Sequence, residues 1–401
     1  MSSRIKWIFL FLFFISAKGI FAQGEAAVPF LQLAPDSRAG GLGESGTGLA
    51  DNAAAVFWNP AGIAFLTGSE VSITHSNWLP QFNLDDLFYD YLAYRGYVES
   101  LDGHITASVT YMNFGTFVRT SSAGNELGTF KAFDGALTVG YATKIHNDWG
   151  LGFNFRVIHS NLSDKPTENE KGSGKATSVS FDIATMWRPE QLEIPFAGID
   201  LSNKFSLGIN LSNLGPKLTY IDQAQADPIP TKFKLGMAFR LYEDEFNSLT
   251  YTIDFGKLLV DRGKPITDTD STGKVTNTYD TKNRKEFYEA IFTAWGDQSF
   301  SEELRDINTS MGIEYVYGDP MDFQFALRAG FFYEDPSYGN RKFVTFGAGI
   351  RYDVYGFDFG YITTDVFEGG DNHPLSDTMR FTLLINWDAS PKSQEGFPRG
   401  Y

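Results

Sequence analysis

Most of this chain alternates. From residue 71 to residue 387, apolar and polar side chains exchange every second position in run after run, the period of an extended strand with two unlike faces. In Trp149–Leu162 the residues Trp149, Leu151, Phe153, Phe155 and Val157 fall on one side, and Gly150, Gly152, Asn154 and Arg156 on the other. Thr177–Trp187 repeats the pattern, with Val179, Phe181, Ile183 and Trp187 opposite Ser178, Ser180 and Asp182. Ile105–Phe117 sets Ile105, Ala107, Val109 and Tyr111 against Thr106, Ser108 and Thr110. The same reading predicts strands at Val71–Leu79, Phe88–Val98, Ala132–Ile145, Phe205–Leu211, Lys232–Leu241, Leu249–Leu259, Met311–Tyr317, Phe323–Tyr333, Phe343–Tyr352, Phe357–Tyr361 and Thr378–Trp387, fourteen in all.

The connections between these strands sort by parity. Leu101–Gly103, His146–Asp148, Glu243–Asn247, Gly318–Pro320 and Val354–Gly356 are tight turns on one end. The intervening connections are long: Arg119–Lys131, Asp164–Ala176, Gly215–Pro230, Val260–Asn308 and Asp365–Asp377. Arg188–Asn203 breaks the rule, being long on the short side. A soluble two-layered sandwich would alternate too, but would have no reason to separate its loops in this way. An even number of strands with short turns at one end and long loops at the other is the signature of an outer-membrane barrel. Within hydrocarbon an unpaired backbone amide costs several kcal/mol, so the sheet must close on itself. Arg156, Asp182, Lys234, Arg240, Asp254, Arg328 and Asp358 then point inward, where opposite charges are expected to pair across the lumen.

One stretch follows neither period. Phe30–Phe65 is too apolar for a linker and too rich in Gly and Ala for a strand, and it has no sustained helical repeat. Its glycines allow tight turns and close approach to a wall. Pro60 pushes Asn59 out of the helical region and closes the run. A compact apolar segment placed just ahead of a long strand series predicts a plug for the barrel that follows.

Composition narrows the setting. Aromatic residues make up 16% of the 401 residues, with 37 Phe and 19 Tyr, as girdles at a membrane interface would require. The mean hydropathy is nevertheless −0.21, because only alternate residues of a membrane strand face lipid. No internal run is long and apolar enough for a membrane helix. Residues 1–22 read as a signal peptide, with Arg4 and Lys6 ahead of the apolar Trp7–Ile15 and a small residue, Ala22, at the cut. With no cysteine there is no disulfide framework and no lipid-modified N-terminal Cys. The net charge of −16 becomes −19 once Arg4, Lys6 and Lys18 leave, which makes nucleic acid a poor partner.

The short motifs carry little chemistry. Gly41-Leu42-Gly43-Glu44-Ser45-Gly46 matches a dinucleotide fingerprint literally but lacks the strand and helix that the motif needs. Asp268–Gly273 opens like a calcium loop, yet Tyr279 stands where a bidentate carboxylate is required. His75, His104, His146, His159 and His373 form no metal-binding spacing, and no G-x-S-x-G elbow is present. No metal, cofactor or catalytic residue is therefore expected. The longest connection contains Asn283–Trp295, a short predicted helix with Phe287, Ile291 and Trp295 at spacing four. That stripe would either fold back onto the barrel mouth or offer a docking surface to another protein.

Three phrases carry a family resemblance. APDSRAGGLGESGTGLADNAAAVFWNPAGIA (Ala34–Ala64) resembles the N-terminal hatch of the FadL-like outer-membrane barrels, whose Asn-Pro-Ala signature is here Asn59-Pro60-Ala61. GINLSNLGPK (Gly208–Lys217) and HPLSDTMRF (His373–Phe381) are similar to the PorV branch of that superfamily, which serves the type IX secretion system of Bacteroidetes. The resemblance implies an all-β transmembrane barrel of 14 antiparallel strands, with the hatch at 23–68, the barrel at 69–388 and a polar tail at 389–401. It implies that Arg38, Gly41, Gly43, Trp58, Asn59 and Pro60 belong to the hatch, and that both termini are periplasmic. The implied role is to bind cargo proteins by their C-terminal signal domains at the translocon barrel, and to deliver them to a sortase-like attachment complex at the cell surface. The alternative within the superfamily is a transporter of hydrophobic small molecules, which would need an apolar pocket inside the barrel. Phe114 and Phe332 are the residues that would begin to line one.

Overall fold

The computed structural model describes residues 26–82, 86–121, 124–163, 173–220, 226–269, 275–280, 284–319, 322–367 and 374–387. The predicted signal peptide, the core of the calcium-like loop, His373 and the C-terminal tail lie outside these residues.

Fourteen antiparallel strands close into one barrel, each paired with its neighbours in chain order and the first with the last. They are β1 (Ser69–Asn77), β2 (Phe88–Val98), β3 (Gly103–Thr120), β4 (Glu126–His146), β5 (Trp149–Asn161), β6 (Lys175–Trp187) and β7 (Phe205–Leu214). The second half comprises β8 (Lys232–Glu243), β9 (Asn247–Leu258), β10 (Asn308–Gly318), β11 (Phe323–Tyr333), β12 (Lys342–Tyr352), β13 (Tyr355–Thr363) and β14 (Thr378–Trp387). Closure pairs Ser69 with Trp387 and Ser76 with Arg380, so no strand edge is left open to lipid. Every strand expected from the sequence is present.

The two faces separate as the alternation requires. Along β5, Phe153 and Phe155 are exposed while Gly152, Asn154 and Arg156 are buried. Outward aromatics form two rows. At the short-turn end Trp149, Trp187, Phe205, Phe239 and Tyr251 follow one another across β5 to β9 with ring centroids 5.1–6.4 Å apart. At the other end the row is His75, Phe88, Tyr111, Phe133 and His159, with spacings of 5.6–6.1 Å. Trp149 and His159 stand ten residues apart on β5, which is about 33 Å along the strand. At the usual tilt that becomes about 25 Å across the membrane, the height of an apolar band between girdles.

One connection departs from the reading, and the one expected to break parity has structure of its own. Arg119–Lys131 is not a long loop: β3 and β4 stay paired to Arg119↔Gly128 and Thr120↔Glu126, so the hairpin stands out beyond the barrel. Phe117 and Phe130 stack at 5.7 Å on this projection. Arg188–Asn203, the exception to parity, folds a two-residue hairpin, Glu193–Ile194 against Ile199–Asp200. It is tied to the neighbouring short turn by the Arg188 N–H donating to the Asp148 carbonyl at 2.8 Å, and its tip, Phe196, is 94% exposed.

Candidate functional site

The N-terminal residues run through the bore. Two single-turn helices, α1 (Ser37–Gly40) and α2 (Ala55–Trp58), and a 3-10 turn at Pro60–Phe65 are joined by tight bends, and nearly every residue from Ala34 to Ala64 is buried. Helices this short do not persist alone. What fixes them is the wall.

The segment touches strands all round the barrel. Ser37 donates its N–H to Thr382 Oγ1 of β14 at 3.0 Å. The Gly43 N–H goes to Thr345 Oγ1 of β12 at 2.8 Å. The Asp254 carboxylate of β9 accepts the N–H groups of Gly46 and Thr47 at 3.0 and 2.8 Å, and the Ser45 hydroxyl at 3.2 Å. Asn210 of β7 donates to the Trp58 carbonyl at 2.9 Å, and Asn154 of β5 to that of Val56 at 2.8 Å. Glu70 of β1 accepts the Ala53 N–H at 2.7 Å, and Arg188 donates to the Leu49 carbonyl at 2.8 Å. Backbone groups that a short irregular segment cannot satisfy internally are thus satisfied by inward side chains.

Charge pairing crosses from the segment into the wall. Arg38 forks onto Glu314 of β10 with Nε–Oε1 at 2.9 Å and Nη2–Oε2 at 2.7 Å, while its Nη1 meets Asp51 at 2.5 Å. Glu314 also accepts Arg328 of β11 at 2.7 Å; Arg328 reaches Asp358 of β13 at 2.8 Å, and Asp358 binds Arg351 of β12 at 2.6 Å. The result is a chain of six alternating charges, all at most 9% exposed, with no net charge. Buried ions are tolerated only when paired and hydrogen-bonded in this fashion. A second group, Arg156 on Asp182 at 2.7 Å, lies wholly in the wall.

Close approach is provided by glycine. A methyl group at Gly41 would meet the Gly347 Cα at 3.0 Å, one at Gly312 would meet the Leu42 Cα at 2.7 Å, and one at Gly43 would lie 2.5 Å from the Phe331 carbonyl oxygen. Gly43 also holds φ 68°, a left-handed conformation suited to glycine. Wall glycines such as Gly236, Gly312, Gly330 and Gly347 therefore mark where the bore is filled by backbone.

The residues singled out from the sequence are brought together here. Trp58 donates its indole N–H to the buried Asp36 at 2.6 Å, and Lys234 lies over its ring at 4.3 Å. Asn59 is extended (φ −164°, ψ 96°), donates to the carbonyls of Thr47 and Thr185, and caps the turn that begins at Pro60 by accepting the Ala61 N–H at 3.1 Å. Asp36, Asp51, Glu314 and Arg351 were not singled out. The signal for Glu314 was its inward parity among Ile313 and Tyr315. No local pattern marks Asp51.

Nearer the long-loop end the filling turns apolar. Val28, Phe30 and Leu31 join Tyr89, Tyr91, Met112, Ile158, Leu218 and Ile229 in one cluster, and Phe114 packs against it. Phe332 stacks on Phe343 at 4.8 Å in a separate group. A cavity between Phe30, Leu31, Phe57, Tyr89, Tyr91 and Arg156 has room for about one water molecule.

The longest connection folds on the rim. Its helices are α3 (Phe287–Thr293) and α4 (Phe300–Arg305), the second opened by a capping box of Ser299 and Glu302. Phe287 and Ile291 are half-buried, and the Trp295 ring stands edge-on to Phe233 of β8 at 5.2 Å. Lys217, in the connection after β7, pairs with Glu286 at 3.1 Å and ties the two long loops together. Among the described residues the histidines do not gather: His75 and His159 sit in the outward aromatic row, His104 faces in and His146 adjoins a short turn.

Comparison with solved structures finds proteins that align over most of this chain at low identity. The toluene transporter TodX of Pseudomonas putida aligns over 88% of this chain and 97% of its own, at 11% identity and a TM-score of 0.48. A FadL homologue of Pseudomonas aeruginosa aligns over 88% and 98%, at 11% identity and 0.46, and the toluene transporter TbuX of Ralstonia pickettii over 88% and 99%, at 11% and 0.44. No curated protein matches this chain. The profile of the type IX secretion system protein PorV matches residues 22–265, from ahead of the lumen segment to beyond β9. The chain belongs to the PorV family of type IX secretion outer-membrane barrels.

Proposed function

We propose that this barrel is a non-enzymatic carrier of type IX secretion, which binds secreted proteins by their C-terminal signal domains at the translocon barrel and hands them to a sortase-like attachment complex at the cell surface. In this reading the tight turns and both termini face the periplasm, and the long loops face out. Residues 23–68 act as a hatch, with Arg38, Gly41, Gly43, Trp58, Asn59 and Pro60 holding it in place. The partner surface is the long-loop end, where the β3–β4 hairpin projects beyond the rim. Phe287, Ile291 and Trp295 serve that surface by setting the position of the outer loop.

The observation that carries this reading is a bore filled by the chain's own backbone in a member of the PorV family. A hydrocarbon transporter needs an apolar chamber. The apolar clusters around Phe30 and Phe332 are already packed, with space for about one water between Phe30 and Tyr91. Traffic through this barrel finds no support in such an interior, whereas binding at its mouth needs none.

Deletion in the native host tests it. Loss of surface-anchored secreted proteins with unimpaired fatty-acid uptake supports the carrier, and co-purification with a large translocon barrel from detergent-solubilised membranes would add to it. Retained surface anchoring with impaired uptake of hydrophobic compounds would refute it.

A further inference from the structure

The two helices on the rim leave a set of aromatic and aliphatic side chains uncovered. Tyr288 is 56% exposed, Phe292 76%, Phe300 79% and Leu304 55%. Tyr288, Phe292 and Trp295 share one face of α3 and its extension, and Phe300 and Leu304 share one face of α4. Large apolar groups gathered in this way mark a contact surface. The question is what they contact.

Strand register answers where the helices lie. On β8 the even positions point inward, since Gly236 abuts Gly48 and Thr47 of the lumen segment. Phe233 therefore points out of the barrel, and its partner Lys257 on β9 does the same. Trp295 packs on Phe233, and Lys257 is buried beneath Glu303, at 2.9 Å, and Asp306. Both helices thus drape over the outer flank of β8 and β9 rather than across the mouth. Arg262 and Tyr338 brace the same cluster, with the Arg262 guanidinium 2.8 Å from Asp306 and 4.6 Å over the Tyr338 ring. Trp295 belongs to both surfaces, resting on the outward Phe233 while 45% of it stays exposed beside Phe292.

We infer that this face lies in the outer leaflet of the membrane, as an interfacial anchor continuous with the barrel's lipid-facing band. The argument is continuity: the uncovered aromatics begin where an outward wall residue ends, on the side of the barrel that lipid already covers. Trp, Tyr and Phe at the edge of a hydrocarbon layer occupy the zone that amphipathic rings prefer, and a short helix with one apolar face lies there in the plane of the membrane. Two of the acids on α4 and at its end, Glu303 and Asp306, are turned to the protein, on Lys257. The inference rests on the barrel alone and not on any secretion partner.

The chain has no cysteine, so single labels are clean. F292C, F300C and, as an aqueous reference on the opposite end, F196C would each carry an environment-sensitive fluorophore in the full chain. Each would be reconstituted into phosphatidylcholine vesicles with bromines near the glycerol end of the acyl chains, and heat-modifiable migration on gels would verify folding. Quenching at 292 and 300 several-fold above that at 196 is the expected result. Quenching no greater than at 196, with shielding of 292 and 300 only when another protein binds, would overturn the anchor and make the face a protein-docking surface. Y288C supplies a further position should either variant fail to fold.

Discussion

Two segments of this molecule lie outside the barrel sheet and carry apolar residues at short spacing, yet they end in opposite situations. The lumen segment is enclosed by wall on every side. Its backbone is taken up by Asp254, Glu70, Asn154 and Asn210, and Arg38 enters an alternating chain of charges. The rim helices are covered on one side only, by Phe233 and by the ionic cluster at Lys257. Around residues 36–59 it is mainly polar side chains of the wall that meet the segment, whereas the rim helices rest on the outward Phe233 and on one buried ionic cluster at Lys257. The difference teaches that the polarity of the surrounding wall, not the apolarity of the inserted piece, decides how a segment is held. A polar wall fixes backbone through directed bonds and glycine contacts. An apolar wall offers area without direction, and leaves a second face free for lipid.

Substitutions should separate the two. Glu314→Ala has the largest expected effect, because it strands Arg38 and Arg328 as buried charges with one carboxylate fewer. A cost of about 3–5 kcal/mol in the free energy of unfolding in detergent is expected, and an unchanged urea midpoint would break the contrast. Gly236→Val comes next. Its side chain would enter space held by Gly48 and Asp254 Oδ1, the latter only 2.5 Å from an added methyl. Overpacking of this kind costs about 1–3 kcal/mol, and protease access to residues 36–62 should rise as the segment is displaced.

Trp295→Ala is expected to do less. It removes one edge-on aromatic pair, about 0.5–1.5 kcal/mol, and should speed proteolysis between residues 284 and 306 while the unfolding midpoint of the barrel stays put. The smallest effect belongs to the short turn at Asp244. The hydrogen bond from the Tyr242 hydroxyl at 2.7 Å, with support from Asn247 and the Phe246 N–H, holds this carboxyl down at about 2. The ordinary value is near 3.9. A lowered folded value means that the stabilisation is full above about pH 4 and is lost as the pH falls towards 2. The difference in melting temperature between the native chain and Asp244→Asn should therefore shrink across that window and stay flat above it.

The strands were legible because lipid imposes a strict period of two on every one of them. Phe153 and Phe155 face out and Asn154 and Arg156 face in wherever the chain meets hydrocarbon. Where the chain leaves the membrane the signal fails. The projecting hairpin around Phe117 and Phe130 is exposed on both faces, so nothing selects alternation, and it reads as a loop. The lumen segment was legible as a misfit to both periods, and Trp58 and Asn59 fell inside it. Its wall partners were not, since Ser37 meets Thr382 across 345 positions and Arg38 meets Glu314 across 276. Inward parity narrows such partners to a set of candidates. Only the shear of the closed sheet decides which of them stand at the height of Arg38.

The filled bore can be tested directly by recording current through the full-length protein in a planar lipid bilayer. The native chain should insert without a steady ionic current, and Glu314→Ala should show openings as the Arg38 clamp weakens. A native chain that conducts continuously, as a porin does, would contradict a lumen occupied by residues 26–68.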